Sequence, residues 1–379
     1  MSSCKVNSLV EKMRIVANSK TASKLLLFGF FYIVAAASHC GFMEKWALRD
    51  GSGISLTDIV DGTASKPFVY RQLLPALAKT LQPVIAESNA IFFVKLRKYF
   101  EYNIDPNESF SKATSANIIG YEYTYRIVYL ANFLSLLCSL FMLRRLLLNS
   151  GFASLEAILA PSAFILAFPY IQTYGGYFYD SLELTFFCGA VLLTNTGLLT
   201  GKVRLLALAF LVVFATLNKE SFLFIIPTLY PFLRGQFSQK ITYINLFILL
   251  IISALVNVYL KYIFYENTGG FVMVQILDNL TGYLTLSNYF HYETTYGLPS
   301  PSRMFILTLI LIFIIFVRGW YNIAPVWKQH LKIAAVINIP LFIAFCSVGE
   351  LRNLSITFVG FVILIAATIK TTVATPQIK

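Results

Sequence analysis

The sequence predicts an all-α polytopic membrane protein, a single domain over residues 1–379 with about ten transmembrane helices. Three observations carry this. Hydrophobic residues make up 57% of the chain and charged ones only 13%, and the mean hydropathy is +0.70, outside the balance of a soluble domain. The apolar runs are long, aromatic-rich and separated by Gly, Pro and small charged clusters, whereas outer-membrane barrels are written in short strands of alternating polarity. The basic residues also sort by connection. Lys5, Lys12, Arg14, Lys20 and Lys24 precede the first apolar run, and Arg144, Arg145, Lys202, Arg204, Arg234, Lys240, Arg318, Lys328, Lys332, Lys370 and Lys379 fall in alternate connections after it. The positive-inside rule then puts both termini in the cytoplasm.

Spans are expected at 25–41, 122–143, 153–172, 180–200, 204–217, 221–233, 241–262, 304–317, 333–348 and 354–369. Residues 1–24 form a basic cytoplasmic leader, and the run Leu25 to Cys40, with further spans downstream, reads as an uncleaved signal anchor. Two long segments face outward. In the first external loop, 42–121, the stretch RQLLPALAKTLQPVIAESNAIFFVKLRKYF alternates apolar and polar faces at helical spacing, broken by Pro75 and Pro83, and predicts helices lying in the interface. Its Lys95, Arg97, Lys98 cluster argues against a re-entrant hairpin. The second, 263–303, is rich in Tyr, Asn and Gly and reads as an ordered loop or lid.

Between Arg204 and Arg234 two spans share too few residues, about 14 each against about 20 for a full crossing, so a recessed tip is expected there. The hairpin 333–369 repeats the design around GELRN. Lys219, Glu220, Glu350 and Arg352 would then lie near or below the outer headgroups, where an ionisable group costs a few kcal/mol unless paired or in a wet cavity.

The net charge of +12 would suggest nucleic acid in a soluble protein, but here it follows from membrane sidedness, and no nucleic-acid partner is expected. The five cysteines lie mostly inside apolar runs without metal or disulfide spacing. His39, His291 and His330 are too scattered for a metal site. No metal-ligating residue is assigned, and cofactor use is not legible, a divalent ion being compatible with the chemistry below.

Four outward clusters are candidates for function. RDGSGISLTDIVDG supplies Asp50, Asp58 and Asp61 beside Arg49; KPFVYRQLLP supplies Arg71; YIQTYGGYFYDSLE leads through Tyr174, Tyr177 and Tyr179 to Asp180 and Glu183; NKES and GELRN form the recessed tips. A carboxylate in such a cavity can draw a proton from a sugar hydroxyl. Arg and Lys hold phosphate, Arg by two prongs and Lys as a point charge. Aromatic rings suit both the interface and the apolar face of a sugar. The set fits transfer from a lipid-linked phosphate, and the chain has no P-loop, no Gly-rich dinucleotide turn and no G-x-S-x-G. Structural readings stand beside these. Asp58 and Asp61 also fit solvated turn acids, the tyrosines an interfacial belt, and Asp180 a helix N-cap. Lys219 with Glu220, and Glu350 with Arg352, fit ion pairs at turns, and Arg71 fits a snorkelling side chain.

Tyr70-Arg71-Gln72-Leu73-Leu74-Pro75, Tyr179-Asp180, Thr216-Leu217-Asn218-Lys219-Glu220-Ser221 and Gly349-Glu350-Leu351-Arg352 resemble motifs of a group of bacterial membrane proteins. That group is in turn similar to the GT-C superfamily of polyprenyl-phosphate-dependent glycosyltransferases. The resemblance implies a GT-C-like fold and a multi-pass protein of the bacterial inner membrane. It implies an inverting enzyme that moves a sugar from a polyprenyl-phosphate donor to a cell-surface glycan or glycolipid at the outer face. Asp180 would be the base, with Asp50 second. Arg71, Lys219 and Arg352 would contact the donor phosphate, while Glu220, Glu350, Asp58, Asp61, Tyr179 and Tyr174 would bind substrate or orient the cations. The acidic pair such enzymes carry soon after the first span is represented only by Asp50 and the wider Asp58 and Asp61, so the base stays open. Partners would be the lipid-linked donor, the acceptor and membrane lipid. The alternatives are a surface-polysaccharide polymerase or ligase, and a transporter or flippase of lipid-linked sugars.

Overall fold

The computed structural model describes residues 20–46, 54–81, 121–172, 176–195, 199, 201–270, 274–295, 298–301 and 304–373. In chain order the helices are α1 (Lys20–Trp46), α2 (Leu56–Asp61), α3 (73–81), α4 (Glu122–Asn149), α5 (Ser154–Ile171), α6 (Phe178–Asn195) and α7 (Gly201–Asn218). They continue with α8 (Tyr230–Arg234), α9 (Gln239–Ile263), α10 (Ile276–Leu284), α11 (Ile306–Trp320), α12 (Pro325–Phe345) and α13 (Phe358–Val373). A short antiparallel hairpin, β1 (Tyr292–Thr295) with β2 (Leu298–Pro301), lies between α10 and α11.

The protein is a multi-pass helical membrane protein. Among the described residues, six helices are long and apolar enough to cross a bilayer: α1, α4, α5, α7, α9, and α13 taken with the 3-10 run Leu351–Thr357 before it. α11 is apolar but shorter. Helix α7 shows how such a sequence partitions. Val203, Leu206, Phe210 and Phe214 recur at helical spacing and are exposed, a stripe that faces lipid, while Leu208, Val212 and Ala215 turn inward. Because lipid is as apolar as the core, association relies on close approach and on polar contacts. A Cβ on Gly319 of α11 would lie 2.6 Å from the Leu364 carbonyl oxygen of α13, and one on Gly360 would lie 2.5 Å from Leu331 Cδ2 of α12. Between α4 and α6 polar contacts join the apolar ones: Ser139 and Thr185 hydroxyls meet at 2.9 Å, Thr185 donates to the Ser135 carbonyl at 2.8 Å, and Ser181 donates to Asn132.

The expected span at 221–233 is not one helix. Glu220–Phe224 and Ile226–Leu229 are 3-10 turns, followed by the single short helix α8. Pro227 and Pro231 remove amide donors and keep a regular α-helix from running through. At roughly 2.0 Å per 3-10 residue against 1.5 Å per α residue, Glu220–Arg234 would cover on the order of 25 Å if straight. The irregular backbone is tolerated because protein encloses it: Phe222, Ile225, Ile226, Leu229, Phe232 and Leu233 are all buried.

A second, smaller core sits at the bundle end where α1 and α7 finish and α6 begins. Leu56, Ile59, Val69 and Leu74 of the first loop pack with Phe42, Tyr125, Phe178 and Tyr179. The α2 helix is capped by the Ser55 hydroxyl, which accepts from the Asp58 amide at 3.0 Å, and is closed by Gly62 at φ 72°. Its Leu56 and Ile59 therefore face protein. Most of the amphipathic stretch expected in the interface, residues 82–100 of 71–100, lies outside the described residues. The second loop clamps the first. The Asn267 amide donates to the carbonyls of Gly62 (2.6 Å) and Ala64 (3.0 Å), and the Lys66 amide donates to the Thr268 carbonyl at 2.8 Å. Gly269, at φ 100°, makes this possible, since a Cβ there would lie 2.7 Å from the Lys66 carbonyl oxygen.

Candidate functional site

The first loop, the start of α6 and the two tips bring charged residues of four sequence-distant segments together at that same bundle end. Helix α6 presents Asp180 and Glu183, three positions apart and so on one face, both buried. Where α7 finishes, Lys219 adopts an extended backbone, φ −158° and ψ 123°. Successive side chains in extended chain point to opposite sides, and this separates Lys219 from its neighbour Glu220.

The adjacent pair therefore does not satisfy itself. Lys219 Nζ lies 2.7 Å from Glu183 Oε2 and 3.2 Å from Asp180 Oδ1. Glu220 turns instead to Arg71, which reaches in from the first loop and grips it by two prongs, Nη2 to Oε1 at 3.2 Å and Nε to Oε2 at 3.4 Å. The C-terminal tip behaves as the sequence suggests: Arg352 Nη2 donates to Glu350, whose other oxygen accepts from the Ser347 amide at 3.1 Å. Arg352 also reaches Asp180 Oδ2 at 3.4 Å, joining the two tips.

Aromatic rings form the floor. Tyr177 and Tyr179 stack, centroids 5.0 Å apart and planes 8° from parallel. The Arg71 guanidinium lies 4.2 Å over the Tyr179 ring and donates from Nη1 to its hydroxyl, and Arg352 lies 4.6 Å over Tyr177. Burial works against the charge of Arg71, but the Glu220 carboxylate and the Tyr179 ring more than offset it, and the guanidinium is held protonated above its ordinary range. A cavity of about 10 Å³, with room for one water at most, lies beneath the network between Asp180, Glu183, Arg352 and Ser355.

Of the residues singled out by sequence, Arg71, Tyr179, Asp180, Lys219, Glu220, Glu350 and Arg352 converge here. Asp58 and Asp61 belong to α2 and its turn, with Asp61 Oδ2 accepting from the Tyr121 hydroxyl at 2.5 Å. Asp50 and Tyr174 lie outside the described residues. Sequence reasoning named Glu183 in the tyrosine-rich cluster but gave it no role, and it gave none to Ser221, which donates to Glu183 Oε1 at 3.2 Å, or to Asn218, whose amide donates to the Tyr179 carbonyl at 2.9 Å. The signal for Glu183 was its i+3 spacing from Asp180 on an otherwise apolar helix. Among the described residues no group of three or more His, Cys, Asp or Glu is placed to hold a metal ion.

The arrangement can hold an anion by exchanging carboxylate partners for phosphate oxygens, and it can take up a proton on whichever carboxylate is released. No protein family, curated protein or solved structure matches the chain.

Proposed function

We propose that the protein is a membrane glycosyltransferase of GT-C type, with about ten spans and both termini cytoplasmic, working at the outer face of a bacterial inner membrane. It moves a sugar from a polyprenyl phosphate to a surface glycan or glycolipid. The observation that supports this best is the buried meeting of three cations and four carboxylates on a floor of stacked tyrosines, drawn from the first loop, the start of α6 and the two tips. Buried charge at this density is costly and marks function more often than packing.

In this reading the donor phosphate takes hydrogen bonds from Arg71 and Arg352, with Lys219 as a nearby positive charge. An acceptor hydroxyl gives its proton to a carboxylate while its oxygen bonds to the anomeric carbon from the face opposite the phosphate. The bond from that carbon to the phosphate oxygen breaks, and the phosphate leaves with the electron pair, its charge met by the same cations. Asp180 has cations on both oxygens and becomes a base when the phosphate draws Arg352 away from Oδ2. Glu220, with a side chain 27% exposed against 4% for Asp180, is the more accessible acceptor of a proton.

The test is transfer by the full chain in lipid vesicles supplied with polyprenyl-phosphate sugars, alongside analysis of lipid-linked sugars in a deletion strain. Arg71→Ala should abolish transfer, and whichever of Asp180→Asn and Glu220→Gln removes the base should abolish turnover while leaving donor binding. Full activity in all three variants would sink the proposal. Unchanged sugar composition with shortened chains would favour a polymerase or ligase, and no change in any glycan would favour transport.

A further inference from the structure

The helix of the second loop, α10, is apolar on a side that no described part of the protein covers. At 100° per residue it presents three faces. Asn279 and Gly282 face the bundle. The Asn279 side chain is buried and its amide donates to the carbonyls of Ile343 (2.7 Å) and Cys346 (2.6 Å) at the end of α12. The Gln275 amide donates to the Ala344 carbonyl at 2.8 Å, and a Cβ on Gly282 would fall 2.4 Å from Val348 Cγ2. A second face carries Asp278 and Thr281 and is exposed. The third carries Ile276, Leu277, Leu280 and Leu284, which are 41%, 79%, 48% and 83% exposed, and Leu286 and Phe290 extend it at 76% and 63%.

We propose that this third face is seated in a lipid leaflet, at the boundary of headgroups and acyl chains on the side that carries the charged site. The polar–apolar–docked division of α10 is the pattern of a helix lying in the plane of the membrane. Its apolar face also adjoins other exposed apolar side chains, since α10 is bonded to the last turn of α12, whose Val336, Ile339 and Phe345 are exposed. An apolar area of this size left in water would be an aggregation site, whereas in the leaflet the exposed leucines are where the hydrophobic effect favours them. The seat also bears on the charged site, because Gly282 closes against Val348, two residues before Glu350. The inference rests on the membrane location alone and not on the glycosyltransferase reading.

The test uses the full chain in vesicles, with Leu284→Trp, Leu277→Trp and Asp278→Trp compared by difference against the wild type and its three tryptophans. The emission added at positions 284 and 277 should be blue-shifted and lose intensity when the vesicles contain lipids brominated on the acyl chain. The emission added at 278 should be red-shifted, quenched by acrylamide and indifferent to bromine. Position 284 indifferent to brominated lipid overturns the proposal in either of two ways: quenched by acrylamide, it is free in water; shielded from both in a manner that dilution into excess lipid reverses, it is covered by a second copy.

Discussion

Lys219 is the residue on which the charged network turns, and replacing it with Met tests the network most directly. Its ammonium faces Glu183 at 2.7 Å and Asp180 at 3.2 Å, with the three side chains 3–6% exposed. Removing one member of a buried ion pair costs about 3–5 kcal/mol because the other charge stays behind. Here two carboxylates lose their shared cation, but both keep other partners: Asp180 has Arg352 and the Tyr177 amide, and Glu183 has the Ser221 hydroxyl. The expected loss for Lys219→Met therefore stays within about 3–5 kcal/mol rather than doubling. Glu183→Gln in the same chain removes the charge left most exposed to loss and should recover about 1–3 kcal/mol. Glu220→Gln should recover less than Glu183→Gln, since Glu220 is gripped by Arg71 and not by Lys219. Equilibrium unfolding in bicelles, read as two double-mutant cycles that share Lys219→Met, measures these terms. Rescue by Glu220→Gln instead of Glu183→Gln would show that the neighbours in sequence are the true pair and would refute the geometry.

The loops and helix contacts supply further tests. Asn267→Ala removes two hydrogen bonds that hold the second loop on the first, and should cost about 1–2 kcal/mol, seen as faster proteolysis within 54–81 while the bundle stays intact. Gly319→Val places a side chain against the backbone of α13 and should cost about 1–3 kcal/mol in thermal unfolding, more than the same change at Gly151, whose Cβ would meet nothing but whose φ of 83° adds only strain. Trp327→Phe keeps the packing on Phe232 but gives up the indole bond to the Ser150 hydroxyl at 3.0 Å, a loss of about 1 kcal/mol in the same assay.

Much of the site was legible because charge in an apolar run is conspicuous. Lys219, Glu220, Glu350 and Arg352 stood out for that reason, and Arg71 because it heads the helix-forming QLLPALAKTL. The pairing was not legible. Adjacency suggested Lys219 with Glu220, but one extended residue sends them to different partners, and backbone angles at a single position are beyond sequence pattern. The same holds for 221–233: hydropathy marked it as a span, whereas the chain there forms two 3-10 turns and one short helix around Pro227 and Pro231. Glu183 was visible in the tyrosine-rich string, but nothing in the sequence tied it to Lys219. The docking of the second loop through Asn267 and Gly269 rests on contacts some 200 positions apart, for which a single sequence carries no signal.

The charge count at the site sets the order in which it can act. Four carboxylates face three cations, so an arriving anion meets a net negative centre and is held only if it takes a cation from a carboxylate. The pairs differ in how readily they yield. Lys219, Asp180 and Glu183 lie on helix ends and are almost fully enclosed, and Arg352 is shared between Asp180 and Glu350. Arg71 comes from a loop, and its partner Glu220 is the most exposed acid of the four. On the proposed reading the Arg71–Glu220 pair opens first: phosphate takes the guanidinium and Glu220 is freed beside it, so that binding the donor creates the carboxylate that can accept a proton. Glu220→Gln separates this from a fixed scaffold. Neutralising the competitor for Arg71 should lower KM for the donor and lower kcat together, whereas a merely structural Glu220 would raise KM, and Arg71→Ala should lose donor binding outright. A Glu220→Gln variant with weakened donor binding and unchanged kcat would show that the pair stays closed through the reaction.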